Sequence, residues 1–371
     1  MKILIDENMP YAEQIFSPLA EVITKNGRNI KATDLIDIDI LLIRSVTVVD
    51  ETLLELANKL KYVGTATIGM DHLDTNALQQ RGIAYSNAPG CNALGVGEYS
   101  VTAFLELCQR TQTQPQDKKV GIIGLGNTGS AAQKCYQALG IETLLYDPYK
   151  ANTDPDNDYQ DWQTLINEAD VLSLHVPLTD ETFHMFDAQQ LEALAQDVWL
   201  INCCRGDVID NQAVLDWKHK RPQAKLVLDV WHNEPNPIPE LIPLVDIATP
   251  HIAGYSVEGK ARGTLMLYDW LQGFYDWPAT PSLASLLPGA GIPKVAITGP
   301  LDLRQLNALI NLGYDIKHDD WLFRQYACRP GGFDQLRKKH TYRREFSAIT
   351  IDQTSLPAEL EYLFNFGFTR G

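Results

Sequence analysis

Three residues in the second half of the 371-residue sequence have side chains suited to acid–base and carboxylate chemistry. They are Arg205, Glu234 and His251, and each lies just after a short apolar run. A histidine titrates near neutral pH, so His251 suits a base that accepts a hydroxyl proton. A carboxylate such as Glu234 would stabilise the protonated ring and fix its orientation, while the planar guanidinium of Arg205 can hold a carboxylate through two contacts. Together they predict a site that removes a proton from the hydroxyl group of a small acid.

The same residues also have structural interpretations. A loop histidine after proline is often satisfied by a backbone carbonyl, and Arg205 could simply pair with Asp207 or Asp229. His72 and His175 are interpreted as structural histidines. The chemical interpretation therefore depends on a cofactor site elsewhere in the chain that could accept a hydride.

A glycine loop provides that cofactor site. Gly124, Gly126 and Gly129 have the G-x-G-x-x-G spacing, after the apolar run VGIIG and before a helix predicted over residues 128–139. The first glycine permits a tight turn, the second lets the backbone approach a pyrophosphate, and the third lets the helix pack closely on the strand. Three glycines could have this spacing by chance, but the strand before them and the helix after them favour a dinucleotide site.

The residues around this loop extend the predicted site. Asn127 and Thr128 stand where the helix begins, and there the free N–H groups and the positive end of the helix dipole favour phosphate. Asp147 ends the next apolar run, TLLY, and its carboxylate would bond the ribose hydroxyls. Because a carboxylate at this position repels a 2′-phosphate, the sequence predicts NAD rather than NADP.

Short apolar runs alternate with helical stretches along most of the chain. Strands are predicted at residues 2–6, 22–24, 40–43, 62–63, 120–124, 143–146, 171–175, 198–201, 226–229 and 247–248. Helices are predicted at residues 50–60, 93–110, 128–139 and 255–275. This alternation predicts an α/β fold with two Rossmann-like, doubly wound parallel-sheet domains. In such sheets the loops that follow the strands line the ligand site.

The last part of the chain is predicted to be a separate, small α+β domain. Residues 278–293 are rich in Pro, Gly, Ser and Ala and are interpreted as a linker. Beyond it, the sequence predicts strands at 294–298 and 346–351 and helices at 303–312 and 357–364. The resulting division is a substrate-binding, flavodoxin-like domain (residues 1–92 and 256–280), an NAD-binding domain (93–255) and a C-terminal domain (281–371).

Charge and composition disfavour several classes of protein. The net charge is −16, which argues against non-specific nucleic-acid binding. Residues 281–371 hold 11 Lys and Arg and 9 Asp and Glu, a net of +2, so the remaining residues carry −18. No apolar run approaches the roughly 20 residues of a membrane span, and the beginning, MKILID, is typical of neither a signal nor a transit peptide. The six cysteines lack metal-ligand spacing, so we expect no metal site and reduced thiols in a cytoplasmic protein.

The motifs occur in the order found in a known family. The glycine loop, INCCRGD at 201–207, EP at 234–235 and PH at 250–251 resemble the NAD-dependent D-2-hydroxyacid dehydrogenases over about residues 1–275. The resemblance implies that Arg205, Glu234 and His251 are catalytic. It also implies contacts with NAD from Gly124, Gly126, Asn127, Thr128, Gly129, Asp147, Cys203, Cys204, Arg205, Asp229 and Gly254. Cys203 and Cys204 are interpreted as small side chains beside the cofactor and not as a redox couple.

Three further stretches resemble one branch of that family. DENMP at 6–10, RSVT at 44–47 and PHIAGYSVEGK at 250–260 are similar to enzymes that act on a phosphorylated hydroxy acid and form homodimers through a C-terminal domain. The resemblance implies a phosphorylated small-molecule substrate that is contacted by Ser45, Thr67 and Tyr255. It also implies a homodimer through residues 281–371.

Arginines would suit the substrate phosphate. Arg44, Arg343 and Arg344 are candidates because a guanidinium binds phosphate oxygens through paired, charge-assisted bonds. The basic cluster that contains Arg343 and Arg344 could instead be a solvated face. Two other functions remain open at this point: oxidation of another phosphorylated acid such as 3-phosphoglycerate, or NAD sensing by a corepressor-like binding protein without turnover.

Overall fold

The computed structural model of the chain describes residues 1–289, 291, 294–340 and 342–371. The strands, in chain order, are β1 (Lys2–Asp6), β2 (Glu21–Lys25), β3 (Ile40–Ile43), β4 (Tyr62–Thr65), β5 (Ala84–Ser86), β6 (Val120–Ile123), β7 (Thr143–Tyr146), β8 (Val171–Leu174), β9 (Trp199–Asn202), β10 (Lys225–Leu228), β11 (Ile247–Ala248), β12 (Thr350–Ile351) and β13 (Thr369–Arg370). The α-helices are α1 (Ala12–Phe16), α2 (Glu51–Leu54), α3 (Thr75–Gln80), α4 (Ala93–Thr111), α5 (Asn127–Ala138), α6 (Trp162–Glu168), α7 (Ala188–Ala193), α8 (Asn211–Lys220), α9 (Val257–Gln272), α10 (Leu283–Leu286), α11 (Leu303–Asn311), α12 (Ile316–Tyr326), α13 (Gly332–Lys339) and α14 (Tyr362–Phe366).

The chain forms two compact units. One consists of Met1–Asn92 and Val257–Pro288, and the other of Ala93–Ser256 and Gly289–Gly371. Within the described residues, no helix combines the length and the apolar character that crossing a membrane requires.

The first unit is built on a parallel sheet with strand order β2-β1-β3-β4-β5. Its central strands β3 and β4 are buried along their whole length because both faces of the sheet are covered there. Leu41 and Val63 belong to the core on one face, whereas Ile40 and Tyr62 pack with Leu267 of α9 on the other. The predicted doubly wound arrangement of this sheet is confirmed.

The second unit contains a parallel sheet with strand order β11-β10-β9-β8-β6-β7. Asn202 of β9 lies between Leu174 of β8 and Leu228 of β10 in the register of the sheet. The carboxyl ends of these three strands are therefore level, and the segments that follow them emerge side by side. This sheet is the second predicted Rossmann-like sheet, and its presence confirms the α/β fold class.

The C-terminal tail, residues 289–371, packs within the second unit. Ile310 of α11 and Phe346 belong to the same hydrophobic core as Tyr99 of α4. At the edge of that core, Asn307 donates a hydrogen bond from Nδ2 to Oε1 of Gln109 over 2.7 Å. The tail has its own short parallel pair, β12 with β13. The predicted boundaries of three separate domains remain a prediction, since the contacts group the tail with the NAD-binding region.

Several predicted elements are shorter than expected. The leucine pattern at 50–60 predicts a longer helix than α2, but Asn58 accepts a hydrogen bond from the backbone N–H of Asp37 and supports a turn there. In the strand predicted at 294–298, Val295 makes an isolated bridge to Ile351. Residues 346–348 form a 3-10 turn, so the strand predicted at 346–351 is reduced to β12.

Other elements were not predicted at all. The unpredicted strands are β5 and β13, and the unpredicted helices are α1, α3, α6, α7, α8, α10, α12 and α13. The region interpreted as a linker contains α10, and its residues 290, 292 and 293 lie outside the described part of the chain. Because α12 and α13 are rich in charged residues, the spacing of their apolar residues did not indicate an apolar helix face.

Candidate active site

A buried aspartate at the end of β10 anchors the loop that carries the predicted base. Asp229 is fully buried. Its Oδ1 accepts hydrogen bonds from Thr249 Oγ1 (2.7 Å) and the Ile252 N–H (2.8 Å), and its Oδ2 accepts one from the Ala253 N–H (2.8 Å). Its backbone carbonyl accepts the N–H of His251 over 2.6 Å. The loop is thus fixed to the sheet from both sides of His251, and the predicted contact of Asp229 with NAD remains a prediction.

His251 and Glu234 form a hydrogen-bonded pair. The Nδ1 of His251 lies 2.8 Å from Oε2 of Glu234, whose Oε1 accepts the backbone N–H of Trp231 over 2.9 Å. His251 has a φ of 58°, in the left-handed region that non-glycine residues seldom occupy. With Nδ1–H donating to the carboxylate, Nε2 is left as the ring nitrogen that can accept a proton.

Glu234 is held in its ionised form. Burial raises the pKa of this carboxyl, but the hydrogen bond from His251, the charge of that ring, the N–H of Trp231 and the charge of Arg337 together outweigh burial. The pKa of Glu234 therefore lies below its ordinary value. An ionised carboxylate at Nδ1 stabilises the imidazolium that forms when Nε2 accepts a proton.

A glycine brings the arginine segment against the Glu234 segment. A Cβ on Gly206 would lie 2.0 Å from the carbonyl carbon and oxygen of Trp231, so only glycine fits there without displacement. The preceding residue, Arg205, is partly exposed and donates from Nη1 to the carbonyl of Cys204 over 2.8 Å. Close backbone packing thus places Arg205 beside the segment that carries Glu234.

Within the described residues, Arg205 does not form the ion pair with Asp207 or Asp229 that its structural interpretation predicted. Asp229 is occupied by the His251 loop. Asp207 forms a hydrogen bond with the ring of His232. The guanidinium of Arg205 is therefore not committed to either of the two aspartates considered from the sequence.

The glycine loop has the shape that a dinucleotide requires. Gly124 has a φ of 89°, and a Cβ on Gly129 would lie 1.8 Å from the carbonyl oxygen of Gly124. In contrast, a Cβ on Gly126 would point into open space. The helix α5 begins at Asn127, and no described side chain caps its N-terminus. The loop thus leaves room and free N–H groups for a pyrophosphate, and it fits NAD.

Asp147 lies at the end of β7, next to this loop. Its Oδ2 accepts the Leu125 N–H over 2.9 Å, and its Oδ1 accepts the N–H groups of Tyr149 and Lys150, each over 3.1 Å. These bonds fix the carboxylate beside the glycine loop. Lys150 also donates from Nζ to the carbonyl of Leu125, so a cation lies close to the predicted ribose site.

Cys203 and Cys204 are buried, free thiols. Burial raises the pKa of Cys204 to about 11 and raises that of Cys203 well above its ordinary value. Neither sulfur is a thiolate near neutral pH, as expected for small packing residues and not for a redox couple. Gly254 follows Ala253 in the His251 loop and is partly exposed. The contacts of these residues with NAD remain predictions.

The predicted substrate residues of the first unit follow two neighbouring strands. Ile43 of β3 pairs with Thr65 of β4. Ser45 is exposed just beyond β3, and Thr67 donates from Oγ1 to the Gly69 carbonyl over 3.0 Å just beyond β4. Their contact with substrate remains a prediction.

Arg44 is one of the candidates for the substrate phosphate. Its Nε lies 3.0 Å from Oδ2 of Asp6, which is fully buried. The arginine side chain itself is about one-third exposed. Arg44 is therefore oriented by a buried carboxylate and remains a candidate.

Both histidines that were interpreted as structural lie in hydrogen-bond networks. The Nε2 of His72 is 2.8 Å from Thr65 Oγ1. The Nε2 of His175 is 2.9 Å from Ser173 Oγ, which in turn contacts Ser100. Burial lowers the pKa of His175 to about 4, so this ring is neutral under ordinary conditions.

Comparisons with known proteins agree with this geometry. Residues 102–253 match the family described as D-isomer specific 2-hydroxyacid dehydrogenase, NAD binding domain, and residues 286–367 match a domain of unknown function, DUF3410. The chain is 50% identical over 375 residues to the erythronate-4-phosphate dehydrogenase of Shewanella denitrificans and 50% identical over 373 residues to that of Shewanella oneidensis. Each alignment covers 100% of this chain and 99% of the relative. The chain belongs to the erythronate-4-phosphate dehydrogenase family.

A solved structure resembles most of the chain. The crystal structure of TP0037 from Treponema pallidum, a D-lactate dehydrogenase, is 26% identical, with a TM-score of 0.61, and the match covers 75% of this chain and 98% of that one. The predicted family, the class of NAD-dependent dehydrogenase and the cofactor NAD are confirmed.

The tail of this dehydrogenase supports the His251 loop through an arginine. Arg343 is fully buried, and its Nη1 donates to the carbonyls of Ala253 (2.7 Å) and Ile252 (3.2 Å). Its Nη2 donates to the carbonyl of Gly95, and its guanidinium lies 4.2 Å from the ring centroid of Tyr314. The interpretation of Arg343 as a phosphate ligand is therefore wrong, because its side chain is fully buried and both of its terminal nitrogens donate to backbone carbonyls.

Two more tail residues reach the same loop, and sequence reasoning missed both. Glu345 is buried and accepts a hydrogen bond at Oε1 from Ser256 Oγ over 2.7 Å. Arg337 of α13 donates from Nη2 to the hydroxyl of Tyr255 over 2.8 Å. The sequence RRE at 343–345 resembles a solvated charged face, so no local signal distinguishes it from one.

Three potential metal ligands also come together near the site. One ligand atom from each of His184, Asp207 and His232 lies within 4.8 Å of the others. The three residues follow β8, β9 and β10, and the backbone N–H of His184 donates to the carbonyl of Asp207 over 2.8 Å. No short sequence spacing relates them, so the sequence had no signal for this group. All three are at least partly exposed.

Proposed function

We propose that this chain oxidises 4-phospho-D-erythronate with NAD to 2-oxo-3-hydroxy-4-phosphobutanoate. The relatives that are 50% identical to this chain are erythronate-4-phosphate dehydrogenases, which supports this substrate. The single observation that carries the chemistry is the 2.8 Å hydrogen bond between His251 and Glu234 in a unit that also holds the NAD loop. The proposed reaction belongs to pyridoxal 5′-phosphate biosynthesis.

Each residue of the pair has a defined role in the proposed reaction. Bound NAD supplies the acceptor for the hydride that leaves C2. The Nε2 of His251 accepts the proton of the C2 hydroxyl, and Glu234 stabilises the imidazolium that results. Arg205 holds the substrate carboxylate through its guanidinium. The substrate thus loses one hydride and one proton, and the products are the 2-oxo acid, NADH and a proton that His251 releases.

The experiment is a screen of NAD reduction with purified protein. The panel contains 4-phospho-D-erythronate, D-erythronate, 3-phosphoglycerate and D-lactate, and NADH absorbance is the readout. We expect the highest kcat/KM with 4-phospho-D-erythronate. A higher value with 3-phosphoglycerate would assign the alternative substrate, and NAD binding without turnover of any acid would support the corepressor-like alternative.

A homodimer through the tail is part of the proposal. Trp321 of α12 and Tyr342 are 53% and 45% exposed, and the ring of His318 lies 6.2 Å and 6.1 Å from theirs. Aromatic side chains exposed together are typical of protein interfaces. Light scattering should give the mass of a dimer for the full-length protein and a lower mass for Trp321→Ser. Phe274→Ser, which changes an exposed aromatic of the other unit, serves as the control.

A cytoplasmic location is also proposed. All six cysteines are free, and five of them are buried. Free thiols are typical of reducing compartments. Fractionation of cells that produce the protein should recover the NAD-reducing activity with the cytoplasm, and its recovery with the membrane would contradict this part of the proposal.

A further inference from the structure

A cation from the tail contacts the tyrosine predicted to meet substrate. Arg337 lies in the last turn of α13, and its Nη2 donates to the Tyr255 hydroxyl over 2.8 Å. The guanidinium carbon is 5.4 Å from the centroid of the same ring. Tyr255 follows His251 by four residues in the loop that Asp229 anchors. Arg337 thus adds positive charge beside Tyr255, in the loop that also carries the proposed proton acceptor His251.

The tail also fixes the position of the Tyr255 ring. The ring of His340 lies 6.3 Å from that of Tyr255 at an interplanar angle of 66°. His340 is itself held by Asp319, with Nε2 and Oδ2 2.9 Å apart and both side chains 3% exposed. Tyr255 is therefore positioned by buried groups, and its hydroxyl is presented to Arg337 in a defined geometry.

Within the described residues, Arg337 does not donate a hydrogen bond to Glu234, the carboxylate of the catalytic pair. Both oxygens of Glu234 accept hydrogen bonds from other groups, Trp231 and His251. The acceptor that Arg337 does contact is the hydroxyl of Tyr255 and not a carboxylate. The Nε of Arg337 is buried and has no hydrogen-bond partner within the described residues. A guanidinium in this state favours an incoming anion with several oxygen acceptors.

A phosphate near Glu234 also needs a compensating charge. The charge of Arg337 acts on Glu234, so the two groups are within electrostatic range of each other. A phosphate dianion near an ionised carboxylate is repelled unless a cation lies close to both. The tail supplies such a cation in Arg337, whereas Arg343, one of the arginines considered from the sequence, is fully buried.

We propose that Arg337 binds the phosphate group of the substrate, with the Tyr255 hydroxyl as the neighbouring donor. This inference rests on the proposed function, because it assigns the phosphate of that substrate to a residue. It makes the tail of this dehydrogenase a determinant of substrate specificity.

The test compares a phosphorylated acid with its dephosphorylated analogue in matched variants. In the NAD-saturated full-length protein, kcat/KM is measured for 4-phospho-D-erythronate and for D-erythronate. Arg337→Met should reduce the preference for the phosphorylated acid, taken as the ratio of the two kcat/KM values, about 10- to 100-fold, mainly through the KM for 4-phospho-D-erythronate. Arg337→Lys should recover part of the preference, since it keeps the charge but not the planar fork.

Lys338→Met is the matched control. Lys338 is exposed on the same helical turn, and its substitution removes the same charge one residue away. This variant should keep the phosphate preference of the wild type. An unchanged preference in Arg337→Met, or an equal loss in Lys338→Met, would overturn the assignment.

A binding measurement separates this inference from the proposed function. Inorganic phosphate is titrated calorimetrically into the NAD-loaded protein, which needs no turnover. Weaker binding in Arg337→Met than in the wild type and in Lys338→Met supports the phosphate site even if 4-phospho-D-erythronate is not oxidised. Equal binding in all three proteins overturns it even if that acid is the substrate.

Discussion

The segments that follow β9 and β10 and the loop that follows β11 all carry residues that we propose to be catalytic, but different parts of the chain support them. Arg205 and Glu234 are brought together by close backbone packing at Gly206, within about 30 residues of sequence. The loop with His251 is held by Asp229 from the sheet and by Arg343 and other buried side chains from the tail. The first arrangement depends on local fit, and the second depends on contacts made by residues some 90 positions further along the chain. The tail is therefore part of the support of the site, whatever its role in assembly.

We expect the largest effect at His251, whose position depends on both of these arrangements. His251→Ala removes the proton acceptor, so we expect kcat to fall by about 10² to 10⁴-fold. NAD binding should stay nearly intact because the glycine loop is unchanged. Stopped-flow or steady-state NADH formation gives the rate, and NAD titration gives the affinity. Nearly normal turnover would show that another group accepts the proton.

Removing the tail support should be the next largest effect. Arg343→Met deletes charge-assisted hydrogen bonds to three carbonyls, so we expect the free energy of unfolding to fall by about 2–4 kcal/mol. We also expect kcat to fall in the protein that remains folded. Chemical denaturation and single-turnover kinetics measure the two effects. Arg370→Met is the control, because Arg370 forms an exposed ion pair with Glu361 and should cost under about 1 kcal/mol.

The local support can be broken at its closest contact. Gly206→Ala places a Cβ 2.0 Å from the carbonyl of Trp231, so the Arg205 and Glu234 segments must separate. We expect a loss of about 1–3 kcal/mol in stability and a lower kcat/KM. Gly299→Ala is the matched control, since a Cβ at Gly299 meets no atom within 4 Å. If both variants behave alike, the packing at Gly206 does not hold the site together.

A variant in the NAD loop should leave both supports unchanged. Asp147→Ala removes the carboxylate that repels a 2′-phosphate and leaves Lys150 close by, so NAD should bind roughly tenfold more weakly and NADP relatively better. Asp147→Asn keeps the shape but removes the charge and separates the two causes. The ratio of kcat/KM with NAD and NADP is the measurement. Efficient use of both cofactors by the wild type would contradict the assigned role of Asp147.

The smallest effect concerns the pH dependence of the Glu234 contribution. The pKa of Glu234 is lowered from 4.5 in the folded protein, so its stabilising effect is present above about pH 4.5 and is lost as pH falls through the lowered pKa. Wild type should exceed Glu234→Gln in stability by no more than about 1 kcal/mol at neutral pH, and the difference should vanish in acid. His251 and Arg337 are the basic groups that act on this carboxylate. A parallel shift in one limb of the pH–rate profile would confirm the coupling to His251.

Sequence patterns predicted those parts of the site whose residues lie close together in the sequence or directly follow a strand. The glycine loop and the polar residues after β9, β10 and β11 follow from strand periodicity and spacing, because parallel strands place their carboxyl ends at one edge. The comparisons confirm the family and the cofactor that these motifs indicated.

The tail could not be predicted in this way. Arg343 and Arg337 lie in a basic stretch whose composition is the same whether its side chains are buried or solvated. Their partners, the carbonyls at 252, 253 and 95 and the Tyr255 hydroxyl, are distant in sequence, and single-sequence patterns contain no information on such contacts. The helices α12 and α13 were missed for a related reason. Their few apolar residues can be recognised as buried faces only when the helices pack against the rest of the second unit.

The enclosure of Arg343 also sets the order in which the enzyme can mature during synthesis. A ribosome adds about 5–20 residues each second, and the NAD-binding sheet is complete in the nascent chain once β11 has emerged. Arg343 emerges some 90 residues later, and its contact with the Gly95 carbonyl spans 248 positions. The His251 loop therefore acquires its final support only when synthesis is nearly finished, so ribosome-bound chains should bind NAD before they are able to oxidise substrate.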